Sequence, residues 1–238
     1  MKPTFFQKHP LLKDLGSLIV TICIVIVAVF VVNNYVFRSY NVVGKSMENT
    51  LHDDDRIFVN RLKVSWSHFL GKDYVPERGE IIVFANTDSS LEKDLKAAYA
   101  EEHGVALSEV PSLKTCDAPT NVSDQYIIKR VIAFPGERVV VKDGVMTVYT
   151  DENPEGIVFD EEWRVYDDDG ETVVEGPKLD VSGEVDVVVP EGEIFVSGDN
   201  RVGDNSSDSR NGLGTIPYCR IVGPVAVRLY PFDSIKFF

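Results

Sequence analysis

Three separated stretches of this chain hold residues that could together cleave an acyl bond. The first is Val43-Gly44-Lys45-Ser46-Met47-Glu48-Asn49-Thr50-Leu51, and the second runs from Tyr126 through Lys129 and Arg130 to Pro135-Gly136. The third is Ser197-Gly198-Asp199-Asn200-Arg201, followed by Ser206-Ser207-Asp208-Ser209-Arg210. A serine hydroxyl is a poor nucleophile until a base takes its proton. None of the histidines (His9, His52, His68, His103) stands in a triad context, so the base must be another residue. A lysine can serve once its amine is desolvated and neutral.

Lys129 has the setting for that. If Tyr126 to Ala133 form a strand, Ile127, Lys129, Val131 and Ala133 share one face and Arg130 points the other way. Lowering a lysine from a pKa of ~10.4 to about 7 takes roughly 4.6 kcal/mol of differential solvation, within reach of a buried amine. The alternative is a packed stem with the amine reaching water. Ser46 also has a plainer reading, as a turn or cap residue after Gly44. Its position argues otherwise. Ser46 lies eight residues after Arg38, hence within about 26 Å of it at ~3.3 Å per residue.

Arg38 matters because it closes an uncharged stretch that begins after Asp14. At ~1.5 Å per residue, Leu15 to Phe37 reach about 34 Å, enough to cross a bilayer's hydrocarbon. A cleaved leader would have a shorter apolar core and a small-residue cut site, and neither is present. Residues 1–14 carry Lys2, Lys8 and Lys13, whereas the far side soon reaches Asp53, Asp54 and Asp55. The positive-inside rule then keeps 1–14 cytoplasmic, makes 15–37 a single transmembrane helix and puts 38–238 outside the cell. Trp66, Phe69 and Leu70 fit either the membrane interface or a core.

The outer part reads as a mainly β, antiparallel domain without βαβ periodicity. Strands are expected at Arg56–Asn60, Glu80–Ala85, Tyr126–Ala133, Arg138–Val141, Val145–Tyr149, Ile157–Phe159, Val185–Val189, Ile194–Ser197 and Val225–Leu229. Residues 86–125 look like an insertion, with helix formers at Leu91–Glu102. The acidic stretch from Asp151 to Asp186 reads as solvated hairpins. Of 238 residues, 44% are hydrophobic and 26% charged, proportions of a folded chain. The net charge of −14 argues against phosphate-backbone binding, which needs clustered Lys and Arg, so no nucleic acid is expected. Cys23, Cys116 and Cys219 make no disulfide framework; a Cys116–Cys219 bridge is open to an oxidising space, but unpaired thiols are expected. No Cys or His spacing suggests a metal.

The three stretches, in content, order and distance from the anchor, resemble the signature boxes of type I signal peptidases. The resemblance covers about 40–85, 126–148 and 190–230. It implies a β-rich serine endopeptidase that removes signal peptides from exported pre-proteins after small residues, without a cofactor. By this resemblance Ser46 is the nucleophile and Lys129 the general base. Ser206 would hydrogen-bond the lysine, and Asp208 and Arg210 would pair in support. Gly198, Asp199 and Asn200 would shape the turn behind the dyad. The oxyanion would take the Ser46 amide and a backbone donor at Gly44, where some relatives have a serine hydroxyl. Met47 and the segment Arg78–Phe84, with Ile82, Val83 and Phe84, would border the substrate groove. Expected partners are pre-proteins, the lipid bilayer and the export machinery. Departures are Asn49 in place of a common proline and a longer Asn200-to-Ser206 spacing. The alternative in a different class is a non-catalytic relative acting in surface-protein assembly.

Overall fold

A computed structural model describes residues 10–48, 50–86, 89–106, 108, 110, 126–158, 181–203 and 205–238. Helix α1, Pro10–Val31, continues into a π-helical turn at Val32–Val36. Leu, Ile and Val occupy every side of α1 and stay exposed, as in Leu18 and Ile26. The segment Asp14–Val36 has a mean hydropathy of 3.1 and is long enough to cross a membrane. The helical part ends one residue before the expected boundary, because Phe37 already pairs as a strand.

The strands that follow are β1 (Phe37–Asn41), β2 (Arg56–Asn60), β3 (Ile81–Ala85), β4 (Tyr126–Ala133), β5 (Arg138–Lys142) and β6 (Val145–Tyr149). Then come β7 (Ile157–Val158), β8 (Val185–Val188), β9 (Glu193–Ser197), β10 (Ile216–Pro217), β11 (Ile221–Tyr230) and β12 (Lys236–Phe237). Two short helices intervene, α2 (Leu62–Phe69) and α3 (Ser89–His103). The larger sheet has the order β1-β2-β11-β3-β4-β9-β10 with β12 beside β11, and the smaller is β7-β6-β5-β8. The pairings are antiparallel, as expected of a chain that reads as strands joined by turns.

The centre of the sheet is covered on both faces. Along β3, Ile82 and Phe84 enter one apolar cluster with Val131, Ile194 and Leu213, while Ile81 and Val83 enter another with Val42, Met47, Leu51 and Ile57. That is why β3 reads as an unbroken apolar run rather than an alternating one. A third cluster joins Ile132, Ala133, Val139, Val141, Met146 and Phe195 under the smaller sheet. It takes adjacent residues Ile132 and Ala133 because the β4–β9 register slips between Val131 and Ala133.

Strand β1, the two-residue strands β10 and β12, and helix α2 were not foreseen. Helix α2 hides well in sequence, since Val64 is its only buried residue. Trp66 and Phe69 are 61% and 78% exposed and stack at 5.7 Å, which removes them from the core. The expected helix at Leu91–Glu102 lies within α3. Most of the rest of 86–125, Cys116, Phe159 and the centre of the acidic stretch fall outside the described residues. Cys219 is disulfide-bonded, against the expectation of unpaired thiols, and Cys23 is free.

Candidate active site

Lys129 sits in the middle of β4, directly across from Ile82 of β3. With apolar residues on that face, only 4% of it reaches solvent. Its Nζ donates to Ser46 Oγ at 2.7 Å and to the Ile128 carbonyl at 3.0 Å. Burial lowers its pKa from 10.5 to about 8, against the opposing pull of the Asp208 and Asp199 carboxylates. A shift of that size favours the neutral amine by roughly 3 kcal/mol. A hydroxyl within hydrogen-bond distance of such an amine can lose its proton during attack on an electrophile.

The next residue does something different. Arg130 donates from Nε and Nη2 to both oxygens of Asp199, at 2.7 and 2.5 Å, and from Nη1 to the Gly79 carbonyl. Asp199 also accepts from Thr50 Oγ1 at 2.6 Å. Burial opposes ionisation of Asp199, yet Arg130, Arg201 and Thr50 hold it below the usual carboxylate range. Asp199 therefore ties β4 to the loop that carries Ser46, a link beyond the turn-shaping role that the resemblance implies for it. The signal available was an arginine adjoining the candidate lysine, with an aspartate in the third stretch to receive it.

The Ser46 turn is held from behind by the third stretch. The Asn200 amide donates to the Ser46 carbonyl at 3.0 Å, and Asn200 Nδ2 donates to the Lys45 carbonyl at 3.1 Å. Gly198 packs so closely that a Cβ there would overlap Ser206 Oγ and the Ser46 carbonyl, and would lie 2.8 Å from Ser206 Cβ. Glycine is required for this approach. Gly198→Ala should lower kcat/KM about 100-fold by displacing Ser46 and cost about 1–3 kcal/mol of stability. Kinetics and thermal melting check this, and a variant matching wild type in both would contradict the packing.

Ser206 departs from expectation. It donates to Asp208 Oδ2 at 2.7 Å, while the described partners of Lys129 are Ser46 and the Ile128 carbonyl. The hydroxyl turns to the carboxylate because an ionised acceptor makes the stronger bond. Asp208 and Arg210 pair as expected, at 2.8 Å, and are 0% and 1% exposed in their side chains. The Gly198 and Arg210 amides also donate to Asp208. Burial would raise Asp208, but Arg210, the Gly198 amide and Ser206 keep it below its ordinary value. Arg210 Nη1 reaches the Ser182 and Arg201 carbonyls, so the pair braces the whole turn.

A cleft of about 340 Å³ opens beside Ser46 and Lys129. Asn41 to Met47 form one wall, Tyr126 to Lys129 the other, and Asn205 and Ser207 close it. Met47 lines it, though only 1% exposed. Ile82, Val83 and Phe84 do not, which corrects the expected groove. They are fully buried in the core and act as backing for β4. The Gly44 amide also needs correction as an oxyanion donor, because it already donates to Asp53 Oδ1 at 2.7 Å. Among the described residues the Ser46 amide has no acceptor, and it faces no such competition.

A family model described as signal peptidase, peptidase S26, matches residues 15–230. Signal peptidase I T of Bacillus subtilis (strain 168) is 29% identical over 218 residues, which are 90% of this chain and 85% of that protein. A signal peptidase I of Bacillus amyloliquefaciens is 30% identical over the same shares. Signal peptidase IB of Staphylococcus aureus (strain MRSA252) is 25% identical over 94% of each chain. The crystal structure of a signal peptidase I from Enterococcus faecalis V583 aligns with 63% of this chain and 96% of its own, at 21% identity and a TM-score of 0.34.

Proposed function

The chain belongs to the signal peptidase family, peptidase S26, a family of signal-peptide-cleaving serine peptidases, and from that premise we propose that Ser46 and Lys129 form its catalytic dyad. The observation that carries this reading is the 2.7 Å contact between a serine hydroxyl and a buried lysine whose pKa is lowered to about 8. Neutral Lys129 takes the Ser46 proton as Oγ attacks the scissile carbonyl. The Ser46 amide donates to the oxyanion as it forms. Protonated Lys129 then gives its proton to the leaving amine, and the chain after the cut departs. Water, deprotonated by the same lysine, hydrolyses the acyl ester and restores Ser46. Asp208–Arg210 and Arg130–Asp199 keep the two loops at the spacing this chemistry needs.

The substrate is a pre-protein whose signal peptide is still in the bilayer, cut after small residues at the first and third positions before the bond. Residues 15–37 anchor the enzyme as a single span with a cytoplasmic N-terminus, and 38–238 form the outer catalytic domain. A bonded Cys219 suits an oxidising exterior. Ser65 Oγ donates to the Tyr35 carbonyl and the Arg61 amide to the Val36 carbonyl, so α2 is tied to the end of the span. Trp66 and Phe69 on α2 then dip into the lipid interface, close to the export machinery.

The test is cleavage of a purified pre-protein by the full-length protein in detergent. One cut is expected after an Ala-x-Ala sequence, falling about 100-fold or more when the last Ala becomes Leu. Folded protein that cuts neither would instead favour a non-catalytic role in surface-protein assembly.

A further inference from the structure

Seven residues beyond Ser46, the exposed Asp53 makes a contact that neither the dyad nor its bracing uses. The segment from Val42 to Ser46 forms a wall of the cleft and is held along its length by the turn before β2. The Val42 amide donates to the Asp55 carbonyl at 2.8 Å, and the Asp54 amide donates to the Val42 carbonyl at 3.0 Å. These two bonds extend the β1–β2 pairing beyond Asn41 and Arg56. The third restraint is a side chain: Asp53 Oδ1 accepts from the Gly44 amide at 2.7 Å. It is the last of the holds that the turn before β2 places on the segment.

Gly44 needs such a hold. Its φ is +91°, and nothing lies within 4 Å of where a Cβ would be. A glycine in open space populates both signs of φ with little preference, so packing does not fix this peptide. A carboxylate accepting the Gly44 N–H does. On the other side, Asn200 grips the Lys45 and Ser46 carbonyls. The Lys45–Ser46 peptide is thus suspended between Asp53 and Asn200, and its N–H is the Ser46 amide that the mechanism assigns to the oxyanion.

Resting on the dyad reading above, the geometry points to Asp53 as a positioning residue for catalysis: its carboxylate locks the Gly44 peptide and so aims the Ser46 amide and hydroxyl into the cleft. It also keeps the Gly44 N–H out of the oxyanion site. Misplacing a reacting group by about 1 Å can cost roughly 100-fold in rate, so an exposed acid outside the cleft can control turnover without touching substrate.

Two variants of the full-length protein in detergent test this, Asp53→Ala and Asp53→Asn. For pre-protein cleavage, Asp53→Ala should lower kcat about 10- to 100-fold with KM within about two-fold and the thermal midpoint unchanged. Asp53→Asn keeps an Oδ1 acceptor and should return kcat to within about three-fold of wild type. Hydrogen exchange of the Gly44 amide, read by NMR on glycine-labelled protein, should quicken about ten-fold or more in Asp53→Ala alone. Unchanged exchange in Asp53→Ala, or a fall in kcat that only tracks lost folded protein or is shared equally by Asp53→Asn, overturns the proposal. Absence of cleavage by wild type defeats the peptidase reading instead, and the exchange comparison then decides the role of Asp53 by itself.

Discussion

Ser46→Ala and Lys129→Met should each lower kcat/KM for pre-protein cleavage by about 10⁴-fold or more, and the double variant should be no worse than either alone. Residues that act as one unit lose most of their effect when either is removed, and the 2.7 Å contact makes these two a unit. Additive losses would mean that they act separately. The lysine variant should also keep its fold. With a folded pKa of about 8 against 10.5 in the unfolded chain, Lys129 costs stability. Between those values the unfolded chain binds the extra proton, so stability rises with pH across that window. Below about pH 8 the deficit is constant, at roughly 3 kcal/mol before the lost Ser46 bond is counted. Lys129→Met should therefore melt no lower than wild type at pH 7, and any gain should fade toward pH 10.5. An inactive variant that melts well below wild type would show that the amine was structural.

Asp208→Ala should remove about 3–5 kcal/mol of stability, because it strands the Arg210 guanidinium in a site where the two side chains are 1% and 0% exposed. Six donors lose an acceptor at once: the Gly198 and Arg210 amides, Ser197 Oγ, Ser206 Oγ, and Nε and Nη2 of Arg210. Urea unfolding of the wild type and variant gives the difference directly. Asp208→Ala combined with Arg210→Met should recover part of the loss, since an apolar pair of similar bulk leaves no unpaired charge. The folded pKa of Asp208 is depressed, so its contribution is complete above the unfolded value of 3.8 and disappears as pH falls through the lower folded one. A variant as stable as wild type at pH 7 would remove the pair from the account of what holds the turn.

What the sequence made legible here follows from periodicity. Lys129 could be placed because a strand alternates, and one charge among Ile127, Val131 and Ala133 stands out. The structure sets that lysine against Ser46, from a stretch recognised by its own content. Periodicity fails where both faces are buried: the apolar run Ile81 to Ala85 does not say which side is open, so nothing in it opposed the resemblance by which Ile82, Val83 and Phe84 would border the groove. It also fails where a backbone donor finds a side chain. Nothing in Gly44 or in the Asp53–Asp55 acidic run tells which carboxylate takes which amide. The direction of Ser206 depends on the competition between Lys129 and Asp208, which only coordinates decide. Helix α2 went unseen because its aromatic residues, Trp66 and Phe69, face out rather than into a core.

The dyad itself is tested most directly by the pH dependence of kcat/KM for a pre-protein between pH 6 and 10. Lys129 works as a base only when neutral, so activity should rise with pH along a single limb with its midpoint at about 8. A flat profile, or a limb centred near the ~6.5 of an ordinary histidine, would contradict Lys129 as the group that activates Ser46.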